Sequence, residues 1–413
     1  MIPGSEDVTS AHGRLGRVVA GLLVSTLVAL AACSGGDDGS AGGSDGSLAD
    51  GEQAAVDASE CPLDALESAD APVEITLWHS FVTKTQEAIE DLAAQYNASQ
   101  DQVVVNVESQ GAGYQEIQRK FNQSIQSGDL PTIAALEDNQ TQFLADSGVI
   151  VPASACIAAG GEEPDWLPAV QSNYTIEGVL WPSAFSVSTP VFYYNKAHFE
   201  AAGLDPDDPP QTLDEVRTAA EAIAEAGVGE VAAPFAMWLE PVQIESWITG
   251  TGQEIVNEGN GRDGLATEAT FDSDTSVELL TWIQDMEADG LMTPAPDVDG
   301  QIDHLLAVAN ERASFTIENS VAATSIEAFL RGELDTSQLT DDQRVLVDDD
   351  LDLSLDIGAA PFPGIEEAGQ AQVAGNGLYI TNTGTPEQIA AGWDFLEFMN
   401  TVPAQVENNL VGS

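Results

Sequence analysis

From Pro72 onward, apolar positions switch between a two-residue and a helical period. Val73, Ile75 and Leu77 alternate with polar residues, which predicts a strand ending at Trp78. Ile89, Leu92 and Tyr96 recur at helical spacing within residues 85–97, and residues 103–107 are almost wholly apolar, a second strand. Ile117, Phe121 and Ile125 stripe the next helix, which Gly128 and Pro131 terminate. Residues 132–136 form a third buried strand, and another short helix closes near Gly148. Strands alternating with helices, apolar on both faces, predict a parallel α/β sheet.

Residues 185–195 break this rhythm. Ser188-Thr189-Pro190 interrupts a β-rich run that resumes as Val191-Phe192-Tyr193-Tyr194, and a proline there marks a bend or edge where the chain crosses between lobes. Thr212 and Glu215 have capping-box spacing directly after Pro209-Pro210, opening a helix that Gly227 stops. A further helix spans about residues 276–288, and residues 373–381 read as strand. Thr385 and Pro386 then cap and start a helix carrying Ile389, Trp393 and Leu396. No internal repeat is visible.

The chain of 413 residues opens differently. Arg14 and Arg17 precede an uncharged apolar run over residues 18–30, too short to span a bilayer comfortably and followed by polar residues, as in a processed export signal. Leu30-Ala31-Ala32-Cys33 looks like a bacterial lipobox, which implies a signal peptide over residues 1–32 and diacylglycerol on the Cys33 sulfur. Residues 34–51 are Ser, Gly and Asp with almost nothing apolar, so residues 33–71 are expected to be the lipidated cysteine and a flexible tether. With Cys33 lipidated, Cys61 and Cys156 remain an even pair in an oxidising compartment, either bonded or two buried thiols. Acidic residues number 69 against 11 basic, a formal charge of −58, which repels nucleic acid and anionic headgroups; the membrane is approached through the lipid anchor only.

Catalytic constellations are missing. The four histidines, His12, His79, His198 and His304, are scattered and fit no HExxH metal spacing, and no GxxxxGK[ST] phosphate loop exists, so neither a metal nor a cofactor is expected. A literal GxSxG at Gly42–Gly46 lies in the tether without a strand or helix, and Gly259, Gly261 and Gly264 spell GxGxxG in a polar stretch. Carboxylates are so numerous that some pair always resembles a glycosidase dyad. Three residues converge on one sheet edge. Trp78 ends the first strand, where open α/β sheets place ligands, or else packs as a core tryptophan. Tyr114 begins a helix behind Gly111-Ala112-Gly113, where free N–H groups meet anions or hydroxyls. Glu137 directly follows the third strand and points toward the same crevice.

The order of motifs resembles the family 1 extracellular solute-binding proteins of ABC importers, with its closest echo among glycerol-3-phosphate-binding members. The resemblance rests on Ile75-Thr-Leu-Trp-His-Ser80, Gly113-Tyr114, Ser188-Thr-Pro-Val-Phe-Tyr-Tyr-Asn-Lys196, Ala202-Gly-Leu-Asp-Pro206 and Pro209-Pro-Gln-Thr-Leu213, and runs collinearly from about Pro72. It implies a two-lobed periplasmic-binding-protein fold of the class II type, its ligand cleft between lobes joined by hinge strands. Lobe 1 is then residues 72–187 plus 372–413, and lobe 2 residues 188–371. It also implies a small-molecule solute (sugar, polyol or glycerophosphodiester) and, as partners, a permease with its ATPase subunits, on the extracytoplasmic face of the cell membrane. Carried over residue by residue, the ligand-binding positions fall on Tyr114, Glu137, Ser188 and Gly375, with a stacking tryptophan at Trp238.

Two departures stand out. Glu318-Asn319-Ser320 occupies a turn that is small in the family, and a carboxylate facing the cleft there disfavours a phosphate monoester and suits a polyol, sugar or choline head; otherwise Glu318 faces solvent. Relatives also continue past Val411-Gly412-Ser413 with a tyrosine, several helices and a phosphate-binding arginine, so the resemblance implies a second lobe whose C-terminal part is absent from this sequence. The resulting expectation is a non-enzymatic substrate-binding lipoprotein; a secreted carbohydrate-active hydrolase using a carboxylate pair and a ligand-sensing module are the alternatives.

Overall fold

The alternation along Val73–His79 (β1) sorts its side chains onto two apolar layers. Val73, Ile75 and Leu77 join one buried cluster with Ile89, Leu92 and Tyr96 of the helix Thr83–Ser99. On the opposite face Trp78 packs beside Ile117 and Phe121 of the helix Tyr114–Ser127. A sheet buried on both faces has apolar residues at both parities, which is why the second and third strands read as continuous runs. The structure, a computed structural model, describes residues 56–111, 113–295, 302–331 and 355–411. The export signal, the lipobox cysteine and the Ser/Gly/Asp segment lie outside the described residues.

The strands that follow are Val103–Ser109 (β2), Ile133–Glu137 (β3), Ile150–Val151 (β4), Thr175–Ile176 (β5), Val179–Leu180 (β6), Ser183–Ser188 (β7), Pro190–Asn195 (β8), Phe235–Trp238 (β9), Met292–Ala295 (β10), Phe315–Asn319 (β11), Ile357–Pro361 (β12) and Ala374–Thr381 (β13). One sheet has the order β2-β1-β3-β13-β4, with β7 also on β13; a second has the order β10-β9-β11-β8-β12; β5 and β6 form a small hairpin. β1 runs parallel to β2 and β3, as the strand-helix rhythm requires. The first sheet is nevertheless mixed rather than parallel, because β13 lies antiparallel to β3, β4 and β7. That strand arrives from the second sheet and not by a helical crossover, so the rule that makes βαβ units parallel does not bind it.

The chain leaves the first sheet at Ser188 and enters the second at Pro190, with Thr189 alone between. Proline suits the first position of a strand, where its missing N–H leaves no ladder bond unmade. Thr189 is held from both sides: its carbonyl accepts the Ser320 N–H (2.9 Å) and its own N–H donates to Ser320 Oγ (3.4 Å). The return runs through residues 362–373, where Trp247 Nε1 donates to the Pro363 carbonyl (2.8 Å). The second sheet is cemented by rings: Phe192, Phe199 and Phe235 each contact Phe315 within 5.2–6.2 Å between centroids.

Local signals place the helices. Thr212 and Glu215 close a reciprocal capping box on Leu213–Ala226, ended by Gly227 in the left-handed region, and Thr385 with Gln388 does the same for Pro386–Met399. Cys61 and Cys156 are bonded to each other, both fully buried, which ties the segment before β1 to the helix Ala153–Ala158. The flexible tether expected up to residue 71 is therefore corrected: Ala58–Glu60 and Asp64–Glu67 are helical, and Cys61 and Leu66 are buried in the first sheet's core. No helix among the described residues is long and apolar enough to cross a membrane.

Candidate functional site

Strand ends of both sheets supply the polar groups. In the first sheet β3 ends at Glu137, β13 pairs Asn376 with it, and Gly113 (φ 102°) turns the chain so that Tyr114 opens its helix. The register of β13 against β7 shifts between Gly375 and Asn376. Glycine is required at this bulge, since a Cβ on Gly375 would lie 2.4 Å from the Ser186 carbonyl oxygen. The bulge turns the Gly375 N–H onto Asp138 Oδ2 (3.2 Å), which also accepts from Asn173 Nδ2 (2.7 Å). Asn376 Nδ2 lies 3.3 Å from the Tyr114 hydroxyl, while its Oδ1 is buried without a partner.

The second sheet faces this group with β9, β11 and the start of the helix Pro241–Gly250. Trp238 ends β9, its ring 5.8 Å from that of His304, and its Nε1 is buried and unpartnered. His304 Nε2 lies 2.6 Å from Glu318 Oε2, and Glu318 Oε1 accepts the Asn319 N–H at 2.6 Å. Asn319 Nδ2 in turn reaches Glu240 Oε2 at 3.5 Å. The loop after the same helix sends Arg262 back to the first sheet's side. Its Nη2 donates to Asn173 Oδ1 (3.4 Å), and its carbonyl accepts the N–H of Glu177 from the β5–β6 turn (2.8 Å).

Tyr114, Glu137, Asp138, Glu240, Glu245 and Arg262 lie within electrostatic reach of one another. Burial raises the Tyr114 phenol above its ordinary value, and the negative field of Glu137, Glu240 and Asp138 pushes it the same way despite the Asn376 bond. Burial also raises Asp138, against the opposing hydrogen bonds from Asn173, Asn139 and Gly375 and the Arg262 charge. Glu245 is raised by burial and then by Asp138. A carboxyl whose folded pKa lies above its unfolded value binds protons more tightly when folded, so ionising it lowers stability as pH rises. Asp138→Asn is therefore expected to be more stable than the parent at pH 7. The advantage should shrink as pH falls through the raised value toward 3.8. Urea midpoints at several pH values check this; an advantage that does not vary with pH contradicts it.

The sequence-derived candidates are distributed unevenly. Tyr114, Glu137 and Gly375 gather around Asp138, and Trp238, Glu318 and Asn319 gather around Glu240 and His304. Ser188 lies at the crossing, its Oγ donating to the Ala374 carbonyl (3.4 Å). Trp78 is placed otherwise: its Nε1 donates to Glu108 Oε2 on β2 (3.0 Å) and its ring packs with Ile117 and Phe121. Neighbouring His79 is buried with Nδ1 accepting the Phe81 N–H (3.1 Å). Glu318 faces neither solvent nor open cleft, being 7% exposed with both oxygens engaged inside the lobe.

Sequence reasoning missed Asp138, Asn173, Glu240, Arg262, His304 and Asn376. Asp138 and Asn376 each adjoin a residue that was found, so the strand-end position was the available signal. Arg262 and His304 are brought in by loops and long-range packing, for which local pattern carries none. One catalytic-looking alignment emerges from the fold: His198 Nδ1 lies 2.9 Å from Ser314 Oγ and Nε2 3.3 Å from Glu311 Oε1. Ser314 is 0% exposed, so its hydroxyl has no path to a substrate. Among the described residues no group of His, Cys, Asp and Glu is arranged to hold a metal ion.

Comparison with known proteins bears on this arrangement. A family model described as bacterial extracellular solute-binding protein matches residues 91–408. The chain is 30% identical over 230 residues to the sn-glycerol-3-phosphate-binding periplasmic protein UgpB of Rhizobium meliloti (strain 1021), covering 54% of this chain and 52% of that protein. It is 29% identical over 230 residues to the protein of the same name from Pectobacterium atrosepticum, covering 54% and 51%. The chain thus spans about half the length of the curated relatives it matches. Among solved structures, UgpB from Mycobacterium tuberculosis in complex with glycerophosphocholine aligns with a TM-score of 0.65 at 19% identity, over 83% of this chain and 78% of that one. The cyclic alpha-maltosyl-1,6-maltose binding protein from Arthrobacter globiformis aligns with a TM-score of 0.60 at 19% identity, over 83% and 79%. These likenesses establish the mixed α/β, two-lobed fold.

Proposed function

We propose, from the premise that the chain belongs to the bacterial extracellular solute-binding protein family, that it captures a carbohydrate, polyol or glycerophosphate-derived solute outside the membrane and delivers it to an ABC permease driven by ATPase subunits. The observation carrying this reading is that Glu240, bonded by Asn319 on the second sheet's side, acts on Tyr114, bonded by Asn376 and neighboured by Asp138 on the first, with Trp238 ending the adjacent strand β9. A cleft of this kind orients a small solute with a few polar groups against an aromatic wall. The relatives' names support the solute class: sn-glycerol-3-phosphate for one group, glycerophosphocholine and a cyclic maltosyl sugar for two structural neighbours.

The protein performs no chemistry in this reading. Solute bridges the two lobes, stabilises a closed form by contacting both, and the permease recognises that form. Among the described residues lobe 1 then runs through Ser188 and resumes at β13, lobe 2 runs from Pro190 to Pro361, and Thr189 and the return segment connect them. Cys33, lipid-modified, holds the binder at the outer face of the membrane beside its permease. Fractionating cells that express Cys33→Ala tests the anchor: the variant should leave the membrane pellet, and retention there refutes lipidation at this position.

Thermal unfolding against sugars, polyols and glycerophosphodiesters tests binding. A solute at a hundred times its Kd adds about 2.7 kcal/mol to the folded state and should raise Tm by several degrees. Trp238→Ala should weaken the responding solute by roughly tenfold or more while the protein stays folded. Unchanged affinity removes Trp238 from the site, and glycan turnover by the purified protein replaces the binding reading with the hydrolase.

A further inference from the structure

Besides the two chain crossings, the lobes are joined by a hydrogen bond between main chains: the Glu177 N–H donates to the Arg262 carbonyl (2.8 Å). Glu177 lies at the tip of the β5–β6 hairpin, which packs Leu180 into the first sheet's core and donates the Leu180 N–H to Ser154 Oγ (2.8 Å). Arg262 lies in the loop between Ile248 and Leu279, both in the second sheet's core. That loop is held by its own side chains. Asn260 Oδ1 accepts the Ile255 N–H (2.7 Å), and Asn257 Oδ1 accepts those of Thr267 (2.9 Å) and Glu268 (3.0 Å). Among the described residues five that are not glycine have positive φ, and three of them flank this contact: Glu177 (50°), Glu258 (60°) and Asn260 (57°). Side chains seldom adopt that region, and such strain persists where the surroundings impose it.

The Arg262 side chain extends the contact toward the candidate site. Its Nη2 donates to Asn173 Oδ1 (3.4 Å), and a guanidinium only donates, so the amide is oriented with Nδ2 on Asp138 Oδ2 (2.7 Å). The same Asp138 oxygen takes the Gly375 N–H (3.2 Å). We propose that Glu177, Arg262 and Asn173 form a latch that draws the two lobes together without solute, with Arg262 a positioning residue that couples closure to Asp138 and Gly375. The inference rests on the solute-binding function proposed above and adds how its closed form is prepared. None of these bonds involves a ligand atom, so the latch raises the closed fraction of the empty protein. Apparent affinity for a solute that binds the closed form scales with that fraction. Losing the latch therefore weakens every solute by one factor, whereas losing a residue that touches solute discriminates among them.

Small-angle X-ray scattering of the solute-free protein, with calorimetric titration of each solute that raises Tm, tests the latch. Arg262→Ala should have a larger radius of gyration than the parent and bind each responding solute about three- to tenfold more weakly, by a common factor. Glu177→Pro, which has no N–H to donate, should reproduce both changes. Glu177→Asn keeps the N–H and suits positive φ, so it should match the parent. Unchanged scattering in both Arg262→Ala and Glu177→Pro, a loss that differs from solute to solute, or Glu177→Asn behaving as Glu177→Pro overturns the latch. Should Arg262→Ala fail to fold, the Glu177 pair decides. If no solute responds, the binding function falls, and the scattering comparison by itself still decides whether the lobes are latched.

Discussion

Glu318→Ala is expected to destabilise the protein by about 3–5 kcal/mol, the cost of breaking a buried pair by removing one partner. His304 is 1% exposed and Glu318 7%, their side chains meet at 2.6 Å, and His304 Nδ1 has no other partner to fall back on. The alanine variant would also free the Asn319 N–H that Glu318 Oε1 accepts. Glu318→Gln should cost less, because an amide oxygen can still accept from Nε2 or from the backbone. Urea unfolding of both variants, with an unchanged m-value, reads the difference. If Glu318→Ala stays within 1 kcal/mol of the parent and instead changes solute affinity, the carboxylate faces ligand as the sequence implied. Because the Trp238 ring lies against His304, a rotated imidazole would also be seen as a change in Trp238 emission.

The second large effect belongs to the Cys61–Cys156 bond. It closes a loop of 95 residues in sequence separation, and in the chain-entropy account a loop of roughly that length contributes about 4–5 kcal/mol by restricting the unfolded chain. The enclosed loop contains β1 to β4, so the constraint acts on most of the first sheet. Cys61→Ala with Cys156→Ala should lower Tm by many degrees, and reduction of the parent should reproduce the loss. A double variant within about 1 kcal/mol of the parent would mean that packing of these two buried positions, not the bond, organises the region.

What was legible in the sequence follows from how local each signal is. The capping box at Thr212, the cap at Thr385, the helix stop at Gly227 and the bend at Pro190 each rest on a few adjacent residues, and all appear in the fold. The direction of β13 was not legible, because periodicity reports which face is buried and not the way a strand runs. Trp78 shows the same limit. A tryptophan at a strand end satisfies both a ligand wall and a packing role, and only the Glu108 bond and the neighbouring helix decide between them. Tyr114 and Glu137 were named from helix and strand ends, which are predictable places, and Trp238 from the family resemblance alone. Arg262, His304 and Glu240 were not, since they owe their positions to contacts between segments far apart in sequence.

Asn319 and Ser320 are consecutive, and that adjacency ties occupancy to geometry. Asn319 offers its amide toward Glu240, while the next residue clamps Thr189 through both its backbone N–H and its hydroxyl. Pro190 has its φ locked, so on this crossing any rotation of one sheet against the other falls on Ser188 and Thr189. Any pull on Asn319 therefore acts as a torque delivered one residue away, on one of the two links between the sheets.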